Sequence, residues 1–254
     1  MLNSRSVFIL YFSLATLALP VWEIASRSSN RVRFLISSPL HVTDFILNNS
    51  FNLLHATGVT FVEAFLGLLL ASIVSFGLII FGFFYTGFLR LILPAMVASQ
   101  VVPLIVLAPF FIIAFGIGMS SKIAMAAVLC FFPTFIGLAQ GYRLIPQNVH
   151  DLLDVYQAPR QFRVWHVYLP LSLASGMAGL KVSATLSVIG AIVAEFTGSE
   201  VGLGRNLFLS TIRLQPELMM ASLIGSALLG AIMYGVIHML ERKIGVWYLP
   251  ATEN

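Results

Sequence analysis

Charge is scarce in this chain. Its 254 residues include only 14 Lys and Arg and 10 Asp and Glu, 9% in all, against about 25% in soluble globular domains. The stretches 6–22, 45–62, 64–89, 91–121, 123–142, 164–180 and 218–240 hold no Lys, Arg, Asp or Glu. Several reach the roughly 20 residues needed to cross hydrocarbon, and a soluble core helix would show a charged face every turn or two. Soluble enzymes, nucleic-acid binders and disordered segments are excluded on these grounds. Cysteine is nearly absent too: Cys130 stands alone, which rules out intrachain disulfides and a thiolate metal cage. The histidines at 41, 55, 150, 166 and 238 lack zinc-ligand spacing, and neither a Gly-x-Ser-x-Gly elbow nor a Walker Gly-x-x-x-x-Gly-Lys occurs. No metal, cofactor or ATP site is therefore expected in this chain.

What is present is apolar: 59% hydrophobic residues and a mean hydropathy of +0.95. Uncharged windows with Pro, Gly and charge punctuation predict an all-α, polytopic membrane protein with spans near 7–25, 59–83, 89–115, 122–141, 171–195 and 218–240. The first is read as a retained span, not a cleaved leader. An even count puts both ends on one side, and seven against six scattered cations favours a cytoplasmic one. The few cations read as headgroup anchors.

Pro94, Pro103 and Pro109 interrupt the third stretch, and each ring removes a backbone donor from the helical ladder. A break or short helix is expected after Pro103. Broken backbone at membrane depth is tolerated where protein or a wet cavity satisfies it, so Gln100, Val102 and Pro103, facing Ser183 and Ser187, are candidate pathway residues. A kink that only shapes packing is the alternative. Ile46, Leu53 and Leu54 predict an interfacial helix between Ser38-Pro39 and the second span. No internal repeat is visible, so residues 1–254 read as one domain, with its core at about 57–245, and a two-fold pore needs two copies.

The loop 142–170 is patterned. Val149, Leu152, Leu153 and Tyr156 fall at i, i+3, i+4 and i+7, while His150, Asp151, Asp154 and Gln157 occupy the other face. Pro146 and Asn148 suit a helix start and Pro159 a stop. Such a short helix outside the bilayer needs either a partner or the membrane surface.

The run Pro146-Gln147-Asn148-Val149-His150-Asp151-Leu152-Leu153-Asp154-Val155-Tyr156-Gln157-Ala158, with Leu169-Pro170 beyond it, resembles the EAA loop of ABC importer permeases. Asp151 stands at the family Glu, Leu152 and Leu153 at the two Ala, and Gln157 at the Gly. Further segments resemble the nitrate, sulfonate, taurine and thiamine-precursor branch: 60–67, Val102-Pro103, 107–109, 115–118, Gly179-Leu180-Lys181, Ala194-Glu195 and Gly202-Leu203-Gly204. The resemblance covers roughly residues 38–245. It implies a type I, MetI-like permease fold in a bacterial inner membrane and a homodimer coupled to two ATP-binding subunits that hold ATP and Mg. It also implies an external solute-binding protein and alternating access. On this basis Val149, Asp151, Leu152, Leu153, Asp154, Tyr156, Gln157 and Ala158 are the expected ATPase-coupling residues. Because Gln resists the left-handed backbone that Gly adopts freely, the turn at Gln157 is expected to be built differently, through Ala158-Pro159. Thr60 to Glu63 and the run 188–191 lean toward pyrimidine or thiamine-precursor members.

Three intramembrane charges remain. Glu63 reads as substrate-path polarity or as a helix-start charge near the interface. Lys181 is expected to snorkel toward headgroups and Glu195 to anchor the following glycine-rich loop. An ion-coupled secondary transporter using Glu63 and Lys181 is the rival reading. An intramembrane enzyme is a weaker one, since Ser183 and Ser187 have no evident base.

Overall fold

The computed structural model describes residues 20–24, 26, 37–101 and 103–245, and all regular structure among them is helical. Helix α1 (Pro39–Asn48) starts on Ser38, whose hydroxyl accepts from the His41 amide at 3.4 Å. Pro39 takes the first turn, where its missing N–H costs nothing. This helix covers the first part of the one expected between Ser38-Pro39 and the second span. Leu53 and Leu54 belong instead to α2 (Ser50–Phe84).

The third apolar stretch breaks near Pro103, while Pro94 lies within a continuous helix. Helix α3 (Thr86–Ser99) ends before Gln100, a 3₁₀ turn covers Leu104–Leu107, and α4 (Ala108–Phe115) carries Pro109 in its first turn. Gly116, at φ 81°, closes α4 in a conformation that a side chain would resist. Then come α5 (Met119–Arg143), α6 (Gln147–Val155) and α7 (Leu169–Thr197). A helical lead-in at Arg160–Phe162 and a π-helical turn at Arg163–Tyr168 precede α7. The chain finishes with α8 (Leu203–Arg213) and α9 (Pro216–Gly245). The α8 segment, read from its glycines as loop, is a correction: only Gly202 takes a positive φ there, and Gly204 lies within the helix.

Among the described residues, four helices are long and apolar enough to cross a membrane: Ser50–Phe84, Met119–Arg143, Arg160–Thr197 and Pro216–Lys243. With the broken third stretch they account for five expected spans, while the first, 7–25, falls almost wholly outside the described residues. Two ends of the bundle can be distinguished. The loop end carries α6, together with the end of α5 and the start of α3; the far end carries α8.

The core is α5 held between α2 and α7. Small residues permit this approach: a Cβ on Gly179 would sit 2.3 Å from the Pro133 carbonyl oxygen, so the two backbones nearly touch. Between lipid-solvated helices the hydrophobic effect offers little, and packing and hydrogen bonds must hold the pair. The Ser183 hydroxyl donates to the Cys130 carbonyl at 2.8 Å, the Cys130 thiol donates to the Ser183 carbonyl at 3.1 Å, and Thr134 meets Ser183 at 2.8 Å. Outward residues of α9 such as Leu228, Ile232 and Met239 are exposed, as lipid-facing side chains are.

Candidate functional site

Helix α6 projects from the loop end and is held there by its neighbours. Pro146, in extended backbone, precedes it. At its other end the Gln157 amide donates to the Asp154 carbonyl at 3.0 Å and the Ala158 amide donates to the Leu153 carbonyl at 2.9 Å. These are the paired bonds of a Schellman stop, whose pivot residue must be left-handed. Gln157 is that pivot, at φ 48°. The expectation of a differently built turn is thus corrected: Gln takes the conformation a glycine would, because the closing bonds outweigh the steric cost of about 1–2 kcal/mol.

Arg163, in the π turn, clamps the same end. Its Nε donates to the Ala158 carbonyl at 2.8 Å and its Nη2 to the Leu153 carbonyl at 3.1 Å, while its Nη1 pairs with Asp154. The π turn ends at Tyr168, directly before Leu169-Pro170, and because the proline ring cannot donate to the preceding turn, the ladder widens there. An aromatic cluster secures the other side of α6. The His150 ring lies 5.4 Å from Tyr168, Tyr168 lies 5.2 Å from Tyr142, and Tyr142 lies 4.8 Å from Phe83 on α2. Arg160 sits over the Tyr85 ring. Sequence reasoning missed Arg163, Tyr168 and Phe83 as parts of this mount. The bare signal for Arg163 and Tyr168 was a cation and an aromatic in the segment before Leu169-Pro170, and Phe83 had none.

The predicted apolar face of α6 is split. Leu153 is buried at 7% exposure and Val149 is half-buried, whereas Leu152, Val155 and Tyr156 are 55%, 78% and 76% exposed. Reading Val149, Leu152, Leu153 and Tyr156 as one docking face is corrected accordingly: Leu153 faces its own body. Asp151 accepts from Gln147 at 3.1 Å on the exposed side, and Asp154 is occupied by Arg163.

At the break, Gln100, Val101 and Pro103 are exposed, and Val102 lies outside the described residues. Ser183 and Ser187 are fully buried on α7, with Ser183 bonded into the α5 seam and Ser187 donating to the Ala184 carbonyl. In this conformation the structure does not bring the two serines and the break together on an open surface.

The far end holds a buried polar cluster. Glu195 accepts from the Thr60 hydroxyl at 2.7 Å and from the Gly204 amide at 2.6 Å, and the Leu203 amide donates to Thr60 at 2.9 Å. Glu195 therefore fastens the glycine-rich loop to α2, the role expected of it. A Cβ on Gly202, at φ 131°, would strike the Glu195 carboxylate at 2.2 Å. Lys122 donates to the Ile117 and Gly118 carbonyls. Glu63 neighbours both Glu195 and Lys122, 3% exposed and with Oε2 unpartnered. It is not a charge at a helix start, since α2 begins thirteen residues earlier, at Ser50. Lys181 does not reach out alone either. It pairs with Glu241 of α9 at 2.7 Å, and His238 approaches the same carboxylate at 3.2 Å. Among the described residues no group of His, Cys, Asp and Glu could hold a metal ion.

Residues 73–246 match the family described as binding-protein-dependent transport system inner membrane component. The chain is similar to a probable ABC transporter permease protein of Haemophilus influenzae, 30% identical over 90% of this chain and 93% of that one. It is also similar to the formylaminopyrimidine transport permease protein ThiX of Halalkalibacterium halodurans, 28% identical over 89% of this chain and 91% of that one. A putative aliphatic sulfonates transport permease protein, SsuC of Bacillus subtilis, is 28% identical over 61% of this chain and 56% of that one.

Proposed function

The chain belongs to the family of binding-protein-dependent transport system inner membrane components, and we propose that two identical copies of it form the solute passage of an ATP-binding-cassette importer. It is the permease subunit of such an importer, an integral inner-membrane protein and not an enzyme; a partner subunit hydrolyses ATP. Its partners are ATPase and solute-binding proteins. Our reading adds two ATPase copies holding ATP and Mg, a loop end in the cytoplasm with both termini, and the solute-binding protein at the far end.

The observation that carries this reading is α6. Leu152, Val155 and Tyr156 stand exposed on a helix that Arg163 and the aromatic cluster fix rigidly to α2, α5 and α7. An apolar face outside the bilayer gains by entering a partner's groove, and a rigid mount passes the partner's motion to the spanning helices. Closure of the ATPases on ATP would draw the two α6 helices together and tilt the copies. Gln100 and Pro103, exposed at the break, would then line the alternating passage with neutral polarity, and Val102, outside the described residues, is assigned to it from the sequence alone. Ser183 and Ser187 would enter it only if the α5 and α7 seam opens. The Lys181 and Glu241 pair occupies one of the two groups an ion-coupled carrier would use, which favours the importer.

The solute we favour is a pyrimidine related to a thiamine precursor. Its support is a similarity to the ThiX protein that runs along 89% of this chain, against 61% for the sulfonate protein. Proteoliposomes holding the chain, its ATPase and its binding protein test both layers. Uptake of formylaminopyrimidine that needs ATP inside and binding protein outside is expected. ATP-dependent uptake of an alkanesulfonate instead would overturn the solute alone, and ion-driven uptake without ATPase would overturn the importer assignment.

A further inference from the structure

A cleft of about 990 Å³ opens between α3 and α5, at the upper end of the roughly 300–1,000 Å³ typical of ligand pockets. Its lining is polarised along its length. Arg90, Gln140, Tyr142 and Arg143 gather at the loop end, and the remainder, including Leu93, Val97 and Phe132, is apolar. No carboxylate lines it. Arg90 and Arg143 are both exposed, and neither forms an ion pair among the described residues. Arg143 is the last residue of α5 and Arg90 the fifth of α3, so both sit where a spanning helix meets the headgroups. From them the walls run about 12 Å along α3 to Ala98 and about 16 Å along α5 to Phe132, at ~1.5 Å per residue.

We propose that this cleft binds an anionic phospholipid, its phosphate between Arg90 and Arg143 and one acyl chain lying along Leu93, Val97 and Phe132. The arginines match a phosphate in sign and donor geometry. The apolar length discriminates the source. A small hydrated anion gains nothing from 12 Å of hydrocarbon wall, whereas an acyl chain fills it. The inference concerns the lipid and is independent of the solute carried. Because the occupant would wedge α3 against α5, it would also set the position of the break after Ser99.

The test is native mass spectrometry of the purified chain offered phosphatidylglycerol or phosphatidylcholine in mixed micelles. Two arginines near the headgroup predict a preference for phosphatidylglycerol of roughly thirtyfold, with one lipid retained per chain. R90Q/R143Q should lose that preference, while R90K/R143K, and R242Q/K243Q at the end of α9, should keep most of it. Equal retention of the two lipids by the unmodified chain would overturn the proposal without reliance on any variant. So would unchanged retention by R90Q/R143Q, or displacement of bound phosphatidylglycerol by millimolar inorganic phosphate, which would mark a site for free anions.

Discussion

Replacing Thr60 with Val is nearly isosteric and removes a single hydroxyl, yet that hydroxyl serves two buried partners. It donates to Glu195 at 2.7 Å and accepts from the Leu203 amide at 2.9 Å. Thr60, Glu195 and Leu203 are all fully buried, so water cannot replace what is lost. Each of the two orphaned buried groups costs about 1–3 kcal/mol, and the added methyl returns roughly 1 kcal/mol, leaving a net loss of about 1–5 kcal/mol. T60S keeps the hydroxyl and gives up a methyl, worth about 1 kcal/mol. Thermal unfolding in detergent ranks the two. A finer readout is hydrogen exchange, in which the Leu203 and Gly204 amides lose protection in T60V while those of α6, at the other end of the molecule, do not change. The reasoning is refuted if T60V melts with the wild type, or if T60S falls further than T60V.

Three further outcomes follow from the geometry. Q157G relieves a left-handed Gln and should stabilise the end of α6 by about 1 kcal/mol, read as roughly fivefold slower exchange at the Gln157 and Ala158 amides. G179A places a Cβ 2.3 Å from the Pro133 carbonyl oxygen, which cannot swing aside, and should destabilise by about 1–3 kcal/mol; G77A, with nothing within 4 Å, should not. R163Q removes the clamp on α6 while leaving its exposed residues intact, so ATPase binding should persist while ATP hydrolysis separates from uptake, measured as ATP consumed per solute moved.

Much of this architecture could be read from residue order. Uncharged intervals marked the spans, Pro103 marked the break, Ser38-Pro39 marked the start of α1, and Pro146 and Pro159 bracketed α6. The face of α6 that turns inward could not be read, because Leu152 and Leu153 are chemically alike and periodicity defines a stripe without saying which of its edges meets the body. The Arg163 clamp and the Phe83 contact depend on how far the chain turns between α6 and α7, which local propensity does not set. The Glu195 cluster joins residues 135 apart through Thr60, and only the packing of α2 against α7 and α8 reveals it. Helix α8 escaped notice because glycine signals a turn on average, while Gly204 is small for another reason: a Cβ there would lie 2.2 Å from the Ile192 carbonyl oxygen.

The central claim is that α6 presents Leu152, Val155 and Tyr156 to an ATPase while Leu153 holds the helix to its own body. Photo-crosslinking residues placed singly at these four positions in the assembled transporter test it most directly. Crosslinks to the ATPase from 152, 155 and 156, strengthened or shifted by ATP, together with intrachain products from 153, are the predicted result. Failure of all three exposed positions to reach the ATPase, with the complex intact, would contradict the account.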